Sequence, residues 1–151
     1  MTGMRAYEDF EVGQTIDLGS RVGSAEEIVA FASEFDPQPF HLDEEAGRAS
    51  ILGGLSASGW HSCAMLMRLL CDGLLLNSTS QGAPGIDVLR WRKPVLAGDT
   101  LDGRTTVLAK RVSQKRPSIG LVTCRHELLN QQDETVLEME NSVMFSRRDQ
   151  S

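Results

Sequence analysis

The sequence predicts a single α+β domain over residues 1–151, in which an antiparallel β-sheet wraps around one long buried helix. Two patterns carry this prediction. Apolar residues recur at helical spacing in the segment 59–76, and the chain after Gln81 alternates strand-like runs with turn-forming residues. The length of 151 residues and the hydrophobic content of 40% suit one ordinary domain around one core.

The first predicted elements are a short strand and a helix. Residues 15–18 alternate between polar and apolar, which predicts the strand. Ser24 followed by Glu27 is a capping-box pattern, and apolar residues then recur at helical spacing as far as Asp36, where Pro37 ends the helix. The helix dipole opposes ionisation of a carboxylate at this end, so Asp36 is expected to suit the role of a general base.

The middle of the chain is predicted to contain a short helix, a loop and the central helix. Residues 43–50 form the short helix, with acidic side chains in its first turn. Residues 53–59 are mostly small, which indicates a flexible loop or a close approach of backbone to backbone or ligand. The central helix is apolar around most of its circumference and is expected to be enclosed. The side chains predicted to share its main apolar stripe are Trp60, Cys63, Ala64, Met67, Leu70, Cys71, Leu74 and Leu75.

Four strands complete the predicted fold. They cover residues 86–93, 100–112, 118–129 and 135–145. Leu137, Met139, Val143 and Phe145 occupy alternate positions, which predicts one buried and one polar face for the sheet.

The composition restricts the classes of function. The net charge of −6 argues against a nucleic-acid partner, and the three cysteines and three histidines lack the spacing of a zinc site, so no metal is expected. Glycine-rich phosphate loops, nucleophile elbows and HExxH motifs are absent from the sequence. Residues 1–10 have no apolar segment typical of a secretory signal, which favours a cytoplasmic location. Arg68 and Asp72 interrupt the longest apolar segment, which argues against a membrane span.

Residues 36–41, with the sequence Asp-Pro-Gln-Pro-Phe-His, carry the clearest chemical signal. Asp36 and His41 lie five positions apart, so a regular helix would not bring them face to face. A bent segment stiffened by two prolines could direct both side chains toward one water molecule or one proton. The simpler interpretation is a helix stop followed by a structural histidine, and these six residues alone do not exclude it.

Several motifs together resemble the MaoC-like dehydratases, a family of hot-dog proteins that includes the (R)-specific enoyl-CoA hydratases. The most specific match is an Asp, two residues, a Pro, one residue and a His, which Asp36, Pro39 and His41 provide. Three departures stand out: Phe35 and Gln38 occupy positions where the family often has Gly and Asn, and Ser58 one where it commonly has His. The resemblance covers most of the chain, in the segments 10–13, 35–41, 53–59, 86–91, 94–95 and 98–100.

The resemblance implies a hydro-lyase that adds water to, or removes it from, the 2,3 bond of an acyl-CoA thioester. Asp36 and His41 would bind and activate the water, and the backbone N–H of Gly59 would donate to the thioester oxygen as that oxygen gains charge. CoA would take part only as a portion of the substrate, with no separate cofactor. Contacts to the substrate are expected from Gln38, Phe40, Ser58 and Trp60.

Basic residues surround one predicted turn and indicate a second kind of contact. A solvated hairpin end is their simplest interpretation, but Lys115 and Arg116 could also bind the CoA phosphates, which a chain of charge −6 must attract through locally positive surface. Arg92 and Lys93 are further candidates.

Two other functions stay open at the level of sequence. An acyl-CoA thioesterase could use the same fold, and so could a non-catalytic protein that binds acyl thioesters; the presence of both Asp36 and His41 favours catalysis. The resemblance further implies a homodimer or a dimer of dimers.

Overall fold

The computed structural model describes residues 4–148, and these form one five-stranded antiparallel sheet with a helix across it. The strands follow the order β1-β3-β4-β5-β2. The α+β hot-dog architecture predicted from the sequence is confirmed. The prediction of a single domain over 1–151 stays a prediction, because residues 1–3 and 149–151 lie outside the described range. The helices and strands are β1 (Thr15–Val22), α1 (Ala25–Phe35), α2 (Glu44–Ala49), α3 (Gly59–Gly73), β2 (Val88–Trp91), β3 (Thr100–Val112), β4 (Ile119–Leu129) and β5 (Thr135–Ser146).

The buried face of the sheet forms most of the core. Leu137, Met139, Val143 and Phe145 are all buried, as their alternation predicts. The rings of Phe145 and Phe10 pack with their centroids 4.5 Å apart. Most of the four predicted strands after Gln81 match the observed ones closely, and only β2 is clearly shorter than predicted.

Helix α3 crosses the sheet from the β2 edge to the β1 edge. At its start Gly59 lies against Trp91 of β2, and at its end Gly73 lies against the backbone of Leu18 in β1. A Cβ atom added at Gly73 would lie 2.7 Å from the Cα of Leu18. The helix therefore packs closely on the sheet at both ends, because its terminal residues are glycines and have no side chain to keep the sheet away.

The predicted stripe of α3 is wrong in its phase. Leu70 and Leu74 are buried as expected, but Trp60 is 60% exposed and Met67 is 43% exposed. Because the helix is apolar on nearly every side, periodicity alone did not fix which side faces the sheet. The side chains of α3 that the fold does bury are His61, Ser62, Met65, Leu66, Leu69 and Leu70.

The segment 23–58 connects β1 to α3. It begins with α1, whose N-cap Ser24 accepts a hydrogen bond from the backbone of Glu27, as the capping box predicts. Its helix α2, also predicted, packs backbone against backbone on the following loop, since a Cβ at Gly47 would lie 2.2 Å from the carbonyl oxygen of Gly54. The loop then joins the sheet region through an isolated bridge between Ser56 and Leu96. The segment is therefore held near its C-terminal end by backbone contacts, which leave no room for a side chain at position 47.

Residues 4–148 contain neither a membrane-spanning helix nor a cluster of metal-binding side chains. Within residues 4–148, none of the helices combines the length and the hydropathy that crossing a membrane requires. The same residues contain no group of three or more His, Cys, Asp or Glu side chains arranged to hold a metal ion.

Candidate active site

A cavity of about 520 Å³ opens where the segment 23–58, the start of α3 and the end of β2 meet. Asp36 and His41 lie in its wall, and Gly59 lines it at the start of α3. The rest of the lining is largely apolar, as in most small-molecule sites. Its apolar side chains include Phe40, Ile51, Leu52, Trp60, Trp91 and Val95.

Asp36 and His41 face each other across a short gap. The Oδ2 atom of Asp36 lies 3.4 Å from Nε2 of His41. Asp36 is the residue at which α1 ends, and residues Pro39–His41 form a single turn of 3-10 helix that turns the imidazole back toward it. The proline-stiffened segment thus brings together two side chains that a regular helix would separate.

The backbone carbonyl of Ser56 determines the tautomer of His41. That oxygen lies 2.7 Å from Nδ1, and since a carbonyl only accepts hydrogen bonds, Nδ1 must carry a hydrogen. In the neutral ring Nε2 is then an acceptor, and it points at a carboxylate that is also an acceptor. The two groups can be joined by a molecule that donates to both.

Two donors hold Asp36 in its ionised form. The Ser58 hydroxyl donates to Oδ2 at 2.6 Å and the Gln38 amide donates to Oδ1 at 2.7 Å. The hydrogen bond from Ser58, followed by that from Gln38, lowers the pKa of Asp36 below its ordinary value, against the opposing effect of burial. The expectation that the helix end disfavours its ionisation is therefore wrong, because two direct hydrogen bonds outweigh a weak dipole.

The first turn of α3 presents backbone N–H groups beside this pair. Ser58 is the N-cap and accepts a hydrogen bond from the N–H of Trp60 at 3.3 Å. Gly59 is the first helical residue, so its N–H has no acceptor within the helix, and among residues 4–148 no other group accepts a hydrogen bond from it. A donor of this kind suits an oxygen that gains negative charge.

The structure brings most of the predicted site residues together. Gln38, Phe40 and Trp60 line the cavity along with the Asp36 and His41 pair. Ser58 does not line it and is fully buried. The expectation that Ser58 contacts the substrate is not supported, since its hydroxyl is occupied by Asp36 and lies behind the cavity wall.

Lys115 and Arg116 lie away from the cavity. They occupy the turn between β3 and β4, which lies next to the C-terminal end of β5. The cavity lies beside Trp91, which pairs with β5 near its N-terminal end. These two places on β5 are about 30 Å apart at the rise per residue of a β-strand. Lys110, from the same basic cluster, is bound by the chain itself, with its ammonium group donating to the carbonyl of Tyr7. Within one chain, the predicted phosphate-binding pair is therefore remote from the reacting groups.

Arg92 and Lys93 are the cations that do line the cavity. Each is about half exposed, and each forms an ion pair, Arg92 with Glu138 at 3.2 Å and Lys93 with Glu134. Exposed pairs of this kind contribute little to stability, so both cations can exchange partners at small cost.

Sequence reasoning missed two contributors to the site. Ser56 acts through its backbone carbonyl, which no side-chain pattern reveals. Trp91 belongs to a segment that resembles the family, but its contact with Gly59 depends on how β2 and α3 meet, and that juxtaposition is tertiary.

Comparison with known proteins finds relatives that match most of this chain. Residues 8–127 match the family model described as MaoC like domain. The uncharacterised protein YdeM of Bacillus subtilis is 31% identical over 140 residues, covering 93% of this chain and 98% of that protein. Mesaconyl-CoA hydratase of Cereibacter sphaeroides is 29% identical over 147 residues, covering 96% of this chain but only 42% of that enzyme. The crystal structure of the MaoC-like dehydratase from Rhodospirillum rubrum is similar at 45% identity and a TM-score of 0.84, covering 96% of this chain and 99% of that one.

Proposed function

We propose that this chain, which belongs to the MaoC-like domain family, is a hydro-lyase that adds water to, or removes it from, the 2,3 bond of an acyl-CoA thioester. The observation that carries the proposal is the pair of hydrogen-bond acceptors, Nε2 of His41 and Oδ2 of Asp36, 3.4 Å apart in the wall of a cavity. The similarity to mesaconyl-CoA hydratase supports the same class of reaction.

A single water molecule matches this pair. Its two O–H groups can donate to Nε2 of His41 and to the Asp36 carboxylate, which leaves an oxygen lone pair directed into the cavity. His41 accepts the proton as the water oxygen bonds to C3 of the enoyl thioester. Asp36 stays ionised, orients the water and stabilises the imidazolium that forms.

The remaining electrons move toward the thioester. As the C3–O bond forms, the π electrons of the 2,3 bond shift to give an enolate, whose oxygen accepts a hydrogen bond from Gly59 N–H. The imidazolium of His41 then returns its proton to C2, and dehydration follows the same steps in reverse. Because one imidazole handles the proton in both steps, oxygen and hydrogen are added to the same face of the double bond.

CoA enters this reaction only as part of the substrate. Arg92 and Lys93 are the cations placed to attract its phosphates, because they line the cavity and their ion pairs are exposed. Lys115 and Arg116 are too far from the cavity along β5 to contact a substrate in their own chain. They could bind the CoA phosphates only of a substrate held by another copy of the chain.

We also propose a homodimer, or a dimer of dimers built from it. Strand β2 is an edge of the sheet, and the exposed side chains of Trp60 and Met67 lie on α3, which starts beside that edge. Unpaired edges and exposed apolar faces are commonly covered by a partner. Light scattering at micromolar concentration should give at least twice the 16.6 kDa of one chain; the mass of a single chain would contradict the proposal.

The test of the proposed reaction is the loss of enoyl-CoA absorbance over a panel of acyl chain lengths, with release of free CoA thiol followed in parallel. Addition of water without release of thiol is expected for at least one chain length. Release of thiol as the faster reaction would identify a thioesterase. Binding without either reaction would identify a non-catalytic acyl-thioester-binding protein.

A further inference from the structure

We propose that Trp91 is a positioning residue, which fixes Gly59 so that its N–H points at the thioester oxygen. This inference rests on the proposed function. The indole Nε1–H of Trp91 donates to the carbonyl oxygen of Gly59 at 2.8 Å. The ring also lies where a side chain at position 59 would be, since an added Cβ would be 2.6 Å from Nε1 and 2.7 Å from Cε2.

Gly59 needs an external support because the cap of its helix has a second task. Ser58, the N-cap, donates its hydroxyl to Asp36 at 2.6 Å and receives only a 3.3 Å hydrogen bond from the N–H of Trp60. Gly59 has no side chain of its own to anchor it, and glycine is the residue with the greatest backbone freedom. Without Trp91, the start of α3 would be held by this shared cap and by the helix's own hydrogen bonds, such as that from Ser62 N–H to the carbonyl of Ser58 at 3.0 Å.

Trp91 is itself held on two sides. It ends β2, where it pairs with Leu137 of β5, and its ring meets the ring of Trp60 edge to face at 5.3 Å. Strand β5 therefore fixes the backbone of Trp91, and its ring contacts the start of α3 at both Gly59 and Trp60. An oxyanion donor must lie within about 2.7–3.1 Å of the oxygen it stabilises, so a small rotation of Gly59 weakens that bond selectively in the transition state.

Replacing the indole N–H while keeping an aromatic ring isolates this effect. Trp91→Phe is expected to lower kcat by about 10–50-fold, less than the roughly 10²–10³-fold that follows complete loss of a donor, and to leave KM within about twofold. Arg90→Gln is the matched control, because Arg90 lies on the same exposed strand but does not line the cavity. Its kcat and KM are expected to equal those of the unmodified protein.

A binding measurement tests the same point without turnover. Acetoacetyl-CoA forms an enolate that carries negative charge on the thioester oxygen, whereas butanoyl-CoA has no such charge. Trp91→Phe should weaken binding of the enolate, followed by its ultraviolet absorbance, about tenfold or more and leave the Kd of butanoyl-CoA within about twofold. Equal weakening of both ligands would reduce Trp91 to a packing residue, and no weakening of either would also overturn the proposal.

A second variant tests whether Trp91 acts through Gly59. Gly59→Ala places a Cβ against the indole, so it disturbs the same contact from the other side. If Trp91 acts through Gly59, the double variant should lose little more kcat than the worse single variant, whereas independent roles would multiply the losses. Failure of the unmodified protein to hydrate any enoyl-CoA would sink the proposed function alone, because the comparison of enolate with butanoyl-CoA would still decide the role of Trp91.

Discussion

Asp36→Asn and His41→Ala should each lower turnover by about 10³-fold or more, the upper part of the range for general acid–base groups. The first change weakens the orientation of the water and removes the charge beside the imidazole, and the second removes the proton acceptor. Because both side chains act on one water molecule, the double variant should be little slower than either single variant. Steady-state hydration of the best enoyl-CoA substrate measures all three.

Glu34→Gln is the matched control for this experiment. Glu34 is exposed on α1, two residues before Asp36, and the substitution makes the same change from carboxylate to amide. It should leave turnover and unfolding unchanged. Losses of only about tenfold for Asp36→Asn and for His41→Ala, multiplying in the double variant, would contradict a shared water molecule.

Ser58→Ala should destabilise the protein by about 2 kcal/mol at neutral pH, since it removes both a helix N-cap and a hydrogen bond to a partly buried carboxylate. Ser58 is the main cause of the lowered pKa of Asp36, so in the variant that pKa rises toward its ordinary value. An NMR titration of the Asp36 carboxyl carbon should therefore give a higher pKa in Ser58→Ala than in the unmodified protein.

The sign of the stability effect follows from linkage. A carboxyl group whose pKa is lower in the folded state contributes stability above its unfolded pKa, and this contribution is lost as the pH falls through the folded pKa. The difference in unfolding free energy between the unmodified protein and Ser58→Ala should thus shrink in acid, as urea titrations at several pH values would show. Ser24→Ala removes the cap of α1 instead and should leave the pKa of Asp36 unchanged. An unchanged pKa of Asp36 in Ser58→Ala would mean that Ser58 does not control Asp36.

The parts of the fold and site that the sequence predicted are those encoded locally. The prolines around Gln38 bend the chain within six residues, so the proximity of Asp36 and His41 is contained in one short segment. The strands of the sheet have period-two alternation and clear turns between them. The cap at Ser24 likewise depends only on residues within one helical turn.

The errors concern contacts between distant segments. The ionisation of Asp36 depends on Ser58, which is 22 positions away along the chain. Ser58 reaches Asp36 only because the end of α1 lies against the start of α3. The exposure of Trp60 and Met67 depends on which side of a nearly all-apolar helix meets the sheet. The remoteness of Lys115 depends on strand pairing, which the order of residues along the chain does not reveal.

The segment 23–58 is tied to the rest of the fold at both ends, by β1 before it and α3 after it. Between α2 and α3, Ile51 is fully exposed and Gly53 has a positive φ of 82°, so the chain turns there without support from the core. The entropy of closing the loop 50–58, between α2 and α3, grows only with the logarithm of its length, and about eight extra residues would cost only about 0.6 kcal/mol. Evolution can therefore lengthen or shorten this stretch, and so resize the space for the acyl group, while the sheet, the first turn of α3 and the position of Trp91 stay as they are.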